Sequence, residues 1–345
     1  MKTIWFNRGH SLLGALQLIK RAGGDRIRLL VSHPHADAPA LAAADLRLIE
    51  PPIDAGYVDW CLAICRAHRV DLFVPGEARD AIAAAADRFA AQGTRVALAA
   101  PADRLAAIED KAAFTAAAAA HGLPVARTVL VRDGAGLHAA VANLAAAGFD
   151  ACVKPTCGVF GAGYWRLADT PLFAALMDPD ARILPPATMA AALDAAPGAE
   201  LLVMEHLPGT ETSVDLLAHH GHTLAAVARI KGRVSRHVVT SGPAIDLATA
   251  TAAAFDLHGL VNVQMIEDAA GQPRLIEVNP RMAGACLHTL FVSAVLPWWW
   301  VAIELGLATP DDVPRLSGEA WVAAVPGAID LGDPARTLAA LIAAR

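Results

Sequence analysis

Cysteine is scarce in this sequence, and the cysteines present are not arranged in pairs. The 345 residues include five cysteines, an odd number without a Cys-x-x-Cys motif; Cys61 and Cys65 are spaced by one helical turn, and the other three lie far apart. This usage fits a reducing compartment rather than a disulfide framework. Because the N-terminus also shows no secretory signal, we expect a cytoplasmic protein.

An excess of positive charge is missing as well. The chain has 28 Lys and Arg residues against 34 Asp and Glu residues, which gives a net charge of −6. The basic residues are dispersed along the chain rather than clustered in a stripe. We therefore exclude nucleic acid as a partner, because its phosphates are normally met by a basic surface.

No uninterrupted apolar run is long enough to predict a membrane span. The nearest candidate, residues 284–306, contains His288, Pro297 and Glu304. Polar and charged residues are costly in a bilayer, so we expect a buried helix here and no membrane association. The consecutive tryptophans within it, residues 298–300, are predicted to form core or oligomer contacts. A homodimer through this helix or through the N-terminal domain is consistent with the sequence.

The first hundred residues alternate between short apolar strands and helical stretches. Strands are predicted near residues 3–6, 27–31, 46–49, 72–74 and 96–98, with helices at 12–21, 58–68 and 78–91 between them. Such alternation predicts a doubly wound α/β domain with a parallel sheet. Ligands of open sheets bind beyond the carboxyl ends of the strands, which makes Arg8, His10 and Glu77 candidates for substrate contacts. A structural role is the more common explanation for each of them.

A strand with alternating polar residues is the most informative feature of the chain. In Leu275–Arg281, side chains alternate between the two faces, so Glu277, Asn279 and Arg281 should share one face. Carboxylate and amide oxygens suit Mg²⁺, and the guanidinium can hold a phosphate or a carboxylate with two hydrogen bonds. A half-exposed strand without a site would show the same alternation.

A second strand, residues 261–266, precedes this one and is joined to it by the turn Asp268–Gln272. The pair predicts a hairpin, in which Gln264 could stand beside Glu277 as a further oxygen ligand. Gln264 is otherwise a polar partner across the strands. Glu267 points to the opposite face and is a weaker candidate.

A glycine-rich segment upstream predicts a phosphate site. The buried strand Ala151–Pro155 carries Lys154 and leads into a loop that contains Gly158, Gly161 and Gly163. Glycines let backbone amides approach phosphates, and an ammonium group at the end of a strand supplies the opposite charge. The loop joins two strands and has no Gly-Lys-Ser/Thr sequence, so it is neither a Walker loop nor a dinucleotide-binding turn. An ordinary glycine-rich hairpin is the alternative.

The order of these segments resembles the ATP-grasp ligases, most closely the branch of carbamoyl-phosphate synthetase and biotin carboxylase. The likeness extends from Asp110 to Arg281 and rests on Asp110-Lys111 with Gly122-Leu123-Pro124, on Lys154 with its glycine loop, and on the Gln264 and Glu277–Arg281 hairpin. It implies an ATP-grasp fold with an N-terminal parallel-sheet domain at 1–109, a small α+β lobe with the lid at 110–199 and a larger antiparallel-sheet lobe at 200–345. ATP would lie between the two lobes.

The resemblance also implies roles for individual residues. Lys111 and Lys154 would approach the phosphates, backbone groups of Glu205, His206 and Leu207 would bind the adenine edge, and Glu211 would reach the ribose. The metal, Mg²⁺ or Mn²⁺, would be held by Gln264, Glu277 and Asn279. A basic run follows the strand predicted at residues 224–230, and contacts with an anionic substrate are expected from its residues Arg233, Arg236 and His237.

The activity that this resemblance implies is ATP-dependent ligation of small molecules. A carboxylate would be converted to an acyl phosphate, with Lys154 neutralising the transferred phosphoryl group, and Arg281 would hold the intermediate until an amine or another nucleophile displaces phosphate. Two alternatives remain open: an ATP-binding regulatory or scaffold protein without ligase activity, and phosphoryl transfer that stops at the phosphorylated carboxylate.

Overall fold

The computed structural model describes residues 1–8, 12–156, 163–178 and 181–324. His10, Gly158 and Gly161 therefore lie outside the described residues, and so does the segment 334–344, whose sequence predicts a final helix.

The N-terminal region forms a parallel five-stranded sheet. Its strands are β1 (Lys2–Asn7), β2 (Ile27–His33), β3 (Leu46–Ile49), β4 (Leu72–Pro75) and β5 (Arg95–Val96), in the order β3-β2-β1-β4-β5. The helices of this region are α1 (Leu13–Gly23), α2 (Tyr57–His68), α3 (Arg79–Ala84), α4 (Ala86–Ala90) and α5 (Ala102–Glu109).

Apolar side chains from both faces of this sheet are buried. Ile4 and Phe6 pack in one core with residues of α1, whereas Trp5, between them, packs in another core with residues of α2. Alternate residues of β1 thus face opposite helical layers, which explains its nearly continuous apolar sequence. The predicted doubly wound domain is confirmed. The helix predicted at 78–91 is broken at Ala85, and no residue in the run explains the break.

A mixed five-stranded sheet follows. It contains β6 (Thr128–Val131), β7 (Ala151–Pro155), β8 (Trp165–Leu167), β9 (Ile183–Leu184) and β10 (Leu201–Glu205), in the order β6-β10-β7-β8-β9, and only β8 and β9 pair in parallel. Its helices are α6 (Lys111–Ala120), α7 (Gly134–Ala146), α8 (Leu172–Met177) and α9 (Pro186–Asp194). Leu137 of α7 and Leu193 of α9 pack against Val153 and Val203 of the sheet.

The third sheet has six strands. They are β11 (Glu211–His219), β12 (His222–Lys231), β13 (Arg236–Val239), β14 (Gly259–Glu267), β15 (Pro273–Asn279) and β16 (Glu319–Val322), in the order β15-β14-β11-β12-β13-β16. Strands β11, β12, β13 and β16 are successively antiparallel. The remaining helices are α10 (Pro243–Phe255) and α11 (Leu296–Glu304). The 3₁₀ segments are Gly24–Arg26, Pro39–Ala43, Gly284–Val292 and Pro310–Asp312.

The segment predicted as one buried helix at 284–306 is divided in two. Ser293 adopts a left-handed conformation after the first part, and Pro297 occupies the first turn of α11, where its missing N–H does no harm. Trp298 and Trp300 are buried in the core of this region. Of the two alternatives predicted for the tryptophans, core contacts or oligomer contacts, these two residues make core contacts. Among the described residues no single helix is long and apolar enough to cross a membrane, although the two parts together reach that length and composition with a bend of 105°.

Two compact units account for the chain. The first comprises residues 1–106, 212–263 and 279–345, and the second comprises 107–211 and 264–278. Both are discontinuous because strands that pair in one sheet need not be consecutive in sequence. Strand β10, which follows the predicted boundary at residue 199, pairs with β6 and β7. The division into three domains at 109 and 199 stays a prediction.

Candidate active site

Two lysines and a carboxylate predicted for the site lie together in the second compact unit. Helix α6 begins at Lys111, capped by the Asp110 side chain, which accepts a hydrogen bond from Ala113 N at 2.7 Å. The backbone N–H of Lys111 also donates to Thr156 O at the end of β7, at 3.0 Å. These contacts fix the start of the helix, and the Lys111 ammonium lies 3.7 Å from the Glu277 carboxylate of β15.

Lys154 approaches the same strand from β7. Its Nζ donates to the backbone carbonyl of Ile276 at 3.0 Å, one residue before Glu277. Burial lowers the pKa of Lys154 to about 8; the Glu277 carboxylate opposes this shift, and the nearby Lys111 ammonium adds to it. The protein therefore compensates the charge of Lys154 incompletely, which is the property expected of a group that meets a phosphate.

The glycine loop after β7 is described only at its end. Gly163 has a φ of +75°, and a Cβ there would lie 2.6 Å from the Pro155 side chain. A larger residue would be strained and crowded at this position. Gly158 and Gly161 lie outside the described residues, so their contacts with phosphates stay a prediction.

The segment predicted to bind adenine follows β10. The N–H of Glu205 donates to Arg127 O at 3.0 Å, and the N–H of His206 donates to Asp150 O at 2.7 Å. Both donors are thus used within the protein, whereas Leu207 N–H makes no hydrogen bond to the residues that the structure describes. Of the three residues predicted to bind adenine, Leu207 is therefore the one whose N–H is not already used by the described part of the protein.

Side-chain contacts also hold this segment, residues 205–207, in place. The Glu205 carboxylate is buried and lies 3.5 Å from Arg127 Nε, and the Tyr164 hydroxyl is 3.0 Å from His206 Nδ1. Burial lowers the pKa of His206, which keeps its ring neutral. Sequence reasoning missed Tyr164 and Arg127, because each meets this segment from a strand end or loop that is distant in sequence.

The predicted ribose and metal residues lie on strands β11, β14 and β15. Glu211 is the first residue of β11, Gln264 is on β14, and Glu277 and Asn279 are on β15. β14 and β15 are neighbours in the sheet, and Asp268 N donates to Gln272 O at 2.9 Å in the turn between them, as expected for the predicted hairpin. These residues offer carboxylate and amide oxygens, a donor set that fits Mg²⁺.

A glutamate and an arginine near these strands differ in role. Glu267, the weaker metal candidate, exchanges backbone hydrogen bonds with the Gly209–Thr210 turn, at 3.0 and 3.2 Å. Arg281 follows the end of β15; its N–H donates to Asn279 O at 2.7 Å and its Nη1 is 3.4 Å from Met282 O. The function of Arg281 in holding an intermediate stays a prediction.

The basic run lies at the turn between β12 and β13. Arg233 is exposed, whereas the Arg236 guanidinium donates to the carbonyls of Gly232 and Ser235 at 3.3 and 2.9 Å. His237 Nε2 lies 2.8 Å from the Glu319 carboxylate, and its ring stacks on Trp321. Arg233 is thus the most accessible of the three predicted substrate contacts.

Arg8 is bound within the N-terminal domain. Its Nε donates to the buried Glu50 carboxylate at 2.7 Å, its backbone N–H donates to the same group at 3.0 Å, and its Nη2 donates to Pro51 O. Glu50 also accepts hydrogen bonds from Ser32 and Tyr57. These contacts give Arg8 a structural function at the end of β1, and a contact with substrate stays a prediction.

Part of the chain is similar in sequence to known proteins. Residues 198–326 match a family model described as "ATP-grasp in the biosynthetic pathway with Ter operon". A segment of 133 residues is 34% identical to carnosine synthase 1 of Gallus gallus; the match covers 34% of this chain and 14% of that protein.

Solved structures share the fold over most of the chain. An N5-carboxyaminoimidazole ribonucleotide synthetase in complex with ADP has a TM-score of 0.67 at 18% identity, covering 92% of this chain and 78% of that one. An L-amino acid ligase from Bacillus licheniformis has a TM-score of 0.62 at 13% identity, covering 88% and 74%. A biotin carboxylase from Campylobacter jejuni has a TM-score of 0.65 at 16% identity, covering 92% and 74%.

The fold is thus an α/β fold with three sheets, and it is shared with enzymes whose structures were solved in complex with ADP or with β,γ-ATP. The match of residues 198–326 to an ATP-grasp family model confirms the resemblance drawn from the sequence over that part of the chain. The matched segment spans 14% of the length of carnosine synthase 1.

Proposed function

We propose that the protein is an ATP-dependent ligase that joins a small carboxylate to an amine through an acyl phosphate. The observation that carries the proposal is the group formed by Lys111, Lys154 and Glu277, in which burial lowers the pKa of one ammonium and a carboxylate stands 3.7 Å from the other. Such a group suits a polyphosphate that arrives with a divalent cation. The ATP-grasp assignment of residues 198–326 supports this interpretation.

The chain's own residues would act in three ways. Leu207 N–H would donate to the adenine edge, and Glu211 would accept hydrogen bonds from the ribose hydroxyls. Lys111 and Lys154 would attract the phosphates and neutralise the charge that develops as the γ-phosphoryl group is transferred. Gln264, Glu277 and Asn279 would hold Mg²⁺, which when bound shields the phosphate oxygens from the incoming nucleophile.

The reaction then proceeds in two displacements. A carboxylate oxygen attacks the γ-phosphorus, the bond to the β-phosphate oxygen breaks and ADP leaves. The amine nitrogen attacks the carbonyl carbon of the acyl phosphate, inorganic phosphate leaves with the electron pair of the C–O bond, and the nitrogen loses a proton. Arg281 would hold the acyl phosphate between the two steps.

Amino acids are the substrates that we would test first. The names of two similar proteins, carnosine synthase 1 and L-amino acid ligase, indicate ligation of amino acids. Pairs of amino acids, followed by dicarboxylates and bicarbonate with amines, should be screened for ADP release and for the ligated product by mass spectrometry.

A variant pair connects the measured activity to this site. We expect Glu277→Ala to lower turnover by about 10²–10³-fold, because it removes a ligand of the Mg²⁺ that would neutralise the charge of the transferred phosphoryl group. Glu200→Ala is the matched control, since Glu200 forms only a surface ion pair with Arg132. Tight nucleotide binding without turnover of any pair would contradict the ligase, and ADP release without a ligated product would indicate phosphoryl transfer instead.

A further inference from the structure

Three histidines form a cluster that the proposed ligase reaction does not use. His219 is the last residue of β11 and pairs across the hairpin with His222, the first residue of β12. The two residues between them, His220 and Gly221, have φ angles of +48° and +77°. This is the conformation of a tight two-residue hairpin turn, and His is one of the few residue types found at positive φ. The turn brings the ring of His220 to within 4.8 Å of that of His219.

The third histidine comes from the segment between α10 and β14. Gly221 N–H donates to Leu257 O at 2.8 Å, which holds the hairpin turn against this segment. The ring centroid of His258 then lies 5.2 Å from that of His219 and 4.4 Å from that of His220. One ring nitrogen from each of the three histidines lies within 4.8 Å of the other two.

Two of the ring nitrogens are buried and lack a hydrogen-bond partner. Nδ1 of His219 and Nδ1 of His258 contact no donor or acceptor among the described residues. Buried polar atoms are almost always paired, so two such atoms in one cluster require an explanation. A bound cation would supply the missing partner of both.

Glu304 of α11 sets the ring of His258 in the orientation that a metal requires. His258 Nε2 lies 2.6 Å from the Glu304 carboxylate, whose side chain is 4% exposed. A proton on Nε2 leaves the lone pair on the unpartnered Nδ1. Histidines that bind metals usually donate their other N–H to a carboxylate in this way.

The neutral form of the His219 ring is favoured as well. Burial lowers the pKa of His219, and the neighbouring rings of His258 and His220 lower it further. Neutral rings are the form in which histidine binds metals.

We propose that His219, His220 and His258 form a binding site for a transition-metal ion, with Zn²⁺ as the ion to test. Imidazole nitrogens suit Zn²⁺, whereas the oxygen set at Gln264 and Glu277 suits Mg²⁺. Three protein ligands leave a fourth tetrahedral position for water, on the side where His220 is exposed. Glu304 is a positioning residue. The ion would connect the β11–β12 turn to the segment before β14, and this inference does not depend on the ligase activity.

The test uses the full chain without a histidine tag. Titration calorimetry with ZnCl₂ should show one ion per chain, and Co²⁺ should give the visible absorption of a tetrahedral complex. His220→Asn should weaken Zn²⁺ binding at least tenfold without unfolding the protein, because His220 is exposed and Asn tolerates positive φ. Glu304→Gln should weaken binding by about 10–100-fold, as loss of such a carboxylate does elsewhere.

Two controls separate this site from others. His138→Asn, which replaces an exposed histidine on α7, should leave Zn²⁺ affinity unchanged, and millimolar Mg²⁺ should not compete. The proposal would be overturned if the parent protein bound no stoichiometric Zn²⁺, if His220→Asn and Glu304→Gln bound it as tightly as the parent, or if Mg²⁺ displaced it.

Discussion

Replacing Lys154 by methionine should stabilise the nucleotide-free protein at neutral pH. The Lys154 ammonium is part-buried between β7 and β15 and donates to Ile276 O. Burial lowers its pKa from 10.5 to about 8 despite the opposing carboxylate of Glu277. Methionine has a similar length and shape but carries no charge, so the substitution removes the desolvation cost and fills nearly the same volume.

The size of the effect follows from the pKa. One pKa unit is equivalent to 1.36 kcal/mol, so a fall from 10.5 to about 8 destabilises the folded parent by about 3 kcal/mol at pH 7. The unfolded chain binds more protons than the folded one between these two values. The stability of the parent relative to the variant should therefore rise with pH across this range, by about 2 kcal/mol between pH 7 and pH 9.5. The hydrogen bond to Ile276 is lost in the variant and reduces its advantage by about 1 kcal/mol.

Urea unfolding at pH 7 and pH 9.5, without nucleotide, measures this difference. We expect Lys154→Met to unfold at a higher urea concentration than the parent at pH 7 and at a similar concentration at pH 9.5. Lys20→Met is the control, because Lys20 is exposed and forms a surface ion pair with Asp45. Its effect should stay below about 1 kcal/mol.

Addition of Mg-ATP should reverse the order of stability. The parent gains stability by mass action when it binds the nucleotide, and the variant, which lacks a phosphate-binding ammonium, should gain little. The reasoning is refuted if Lys154→Met is less stable than the parent at pH 7 without nucleotide, or if the difference does not shrink as the pH rises.

Three further predictions concern other parts of the structure. Asp215→Ala should lower the free energy of unfolding, measured in urea, by about 3–5 kcal/mol, because it leaves the Arg229 guanidinium buried without the carboxylate that it contacts at 2.7 Å. The control is Asp150→Ala, at an exposed ion pair with Arg166, which should lower it by less than about 1 kcal/mol. Equal losses in the two variants would contradict the argument. Gly76→Ala should lower the free energy of unfolding by about 1–3 kcal/mol and so lower the melting temperature, because the new Cβ would overlap the backbone carbonyls of Asn7 and Arg8. An unchanged melting temperature would show that the backbone at residue 76 can move away from these carbonyls. Arg233→Ala should raise KM for the carboxylate about tenfold in steady-state assays without changing the melting temperature. Arg236→Ala should also lower the melting temperature, because the Arg236 guanidinium donates hydrogen bonds to the carbonyls of the turn. An unchanged KM in Arg233→Ala would show that Arg233 does not contact the substrate.

The sequence predicted elements more reliably than contacts. Strand β3 was expected at 46–49 and is found there, because its apolar residues and flanking turns are local signals. Helix α6 begins at Lys111 because the Asp110 side chain caps it, which is a local signal of the same kind. The hydrogen bond between Tyr164 and His206 joins residues 42 positions apart, and no local pattern indicates it. The same holds for the approach of His258 to His219.

Arg8 and Lys154 show why residue type alone does not identify a ligand contact. Both are cations at the ends of strands, and both were candidates from the sequence. In the structure the Arg8 guanidinium meets the buried Glu50 carboxylate at 2.7 Å and a backbone carbonyl at 2.9 Å, so its charge is compensated by the protein. The pKa of Lys154 is lowered even though Glu277 attracts its ammonium, so the protein compensates that charge incompletely. A phosphate gains more free energy beside Lys154 than beside Arg8, because only at Lys154 does binding relieve a cost already present in the free protein.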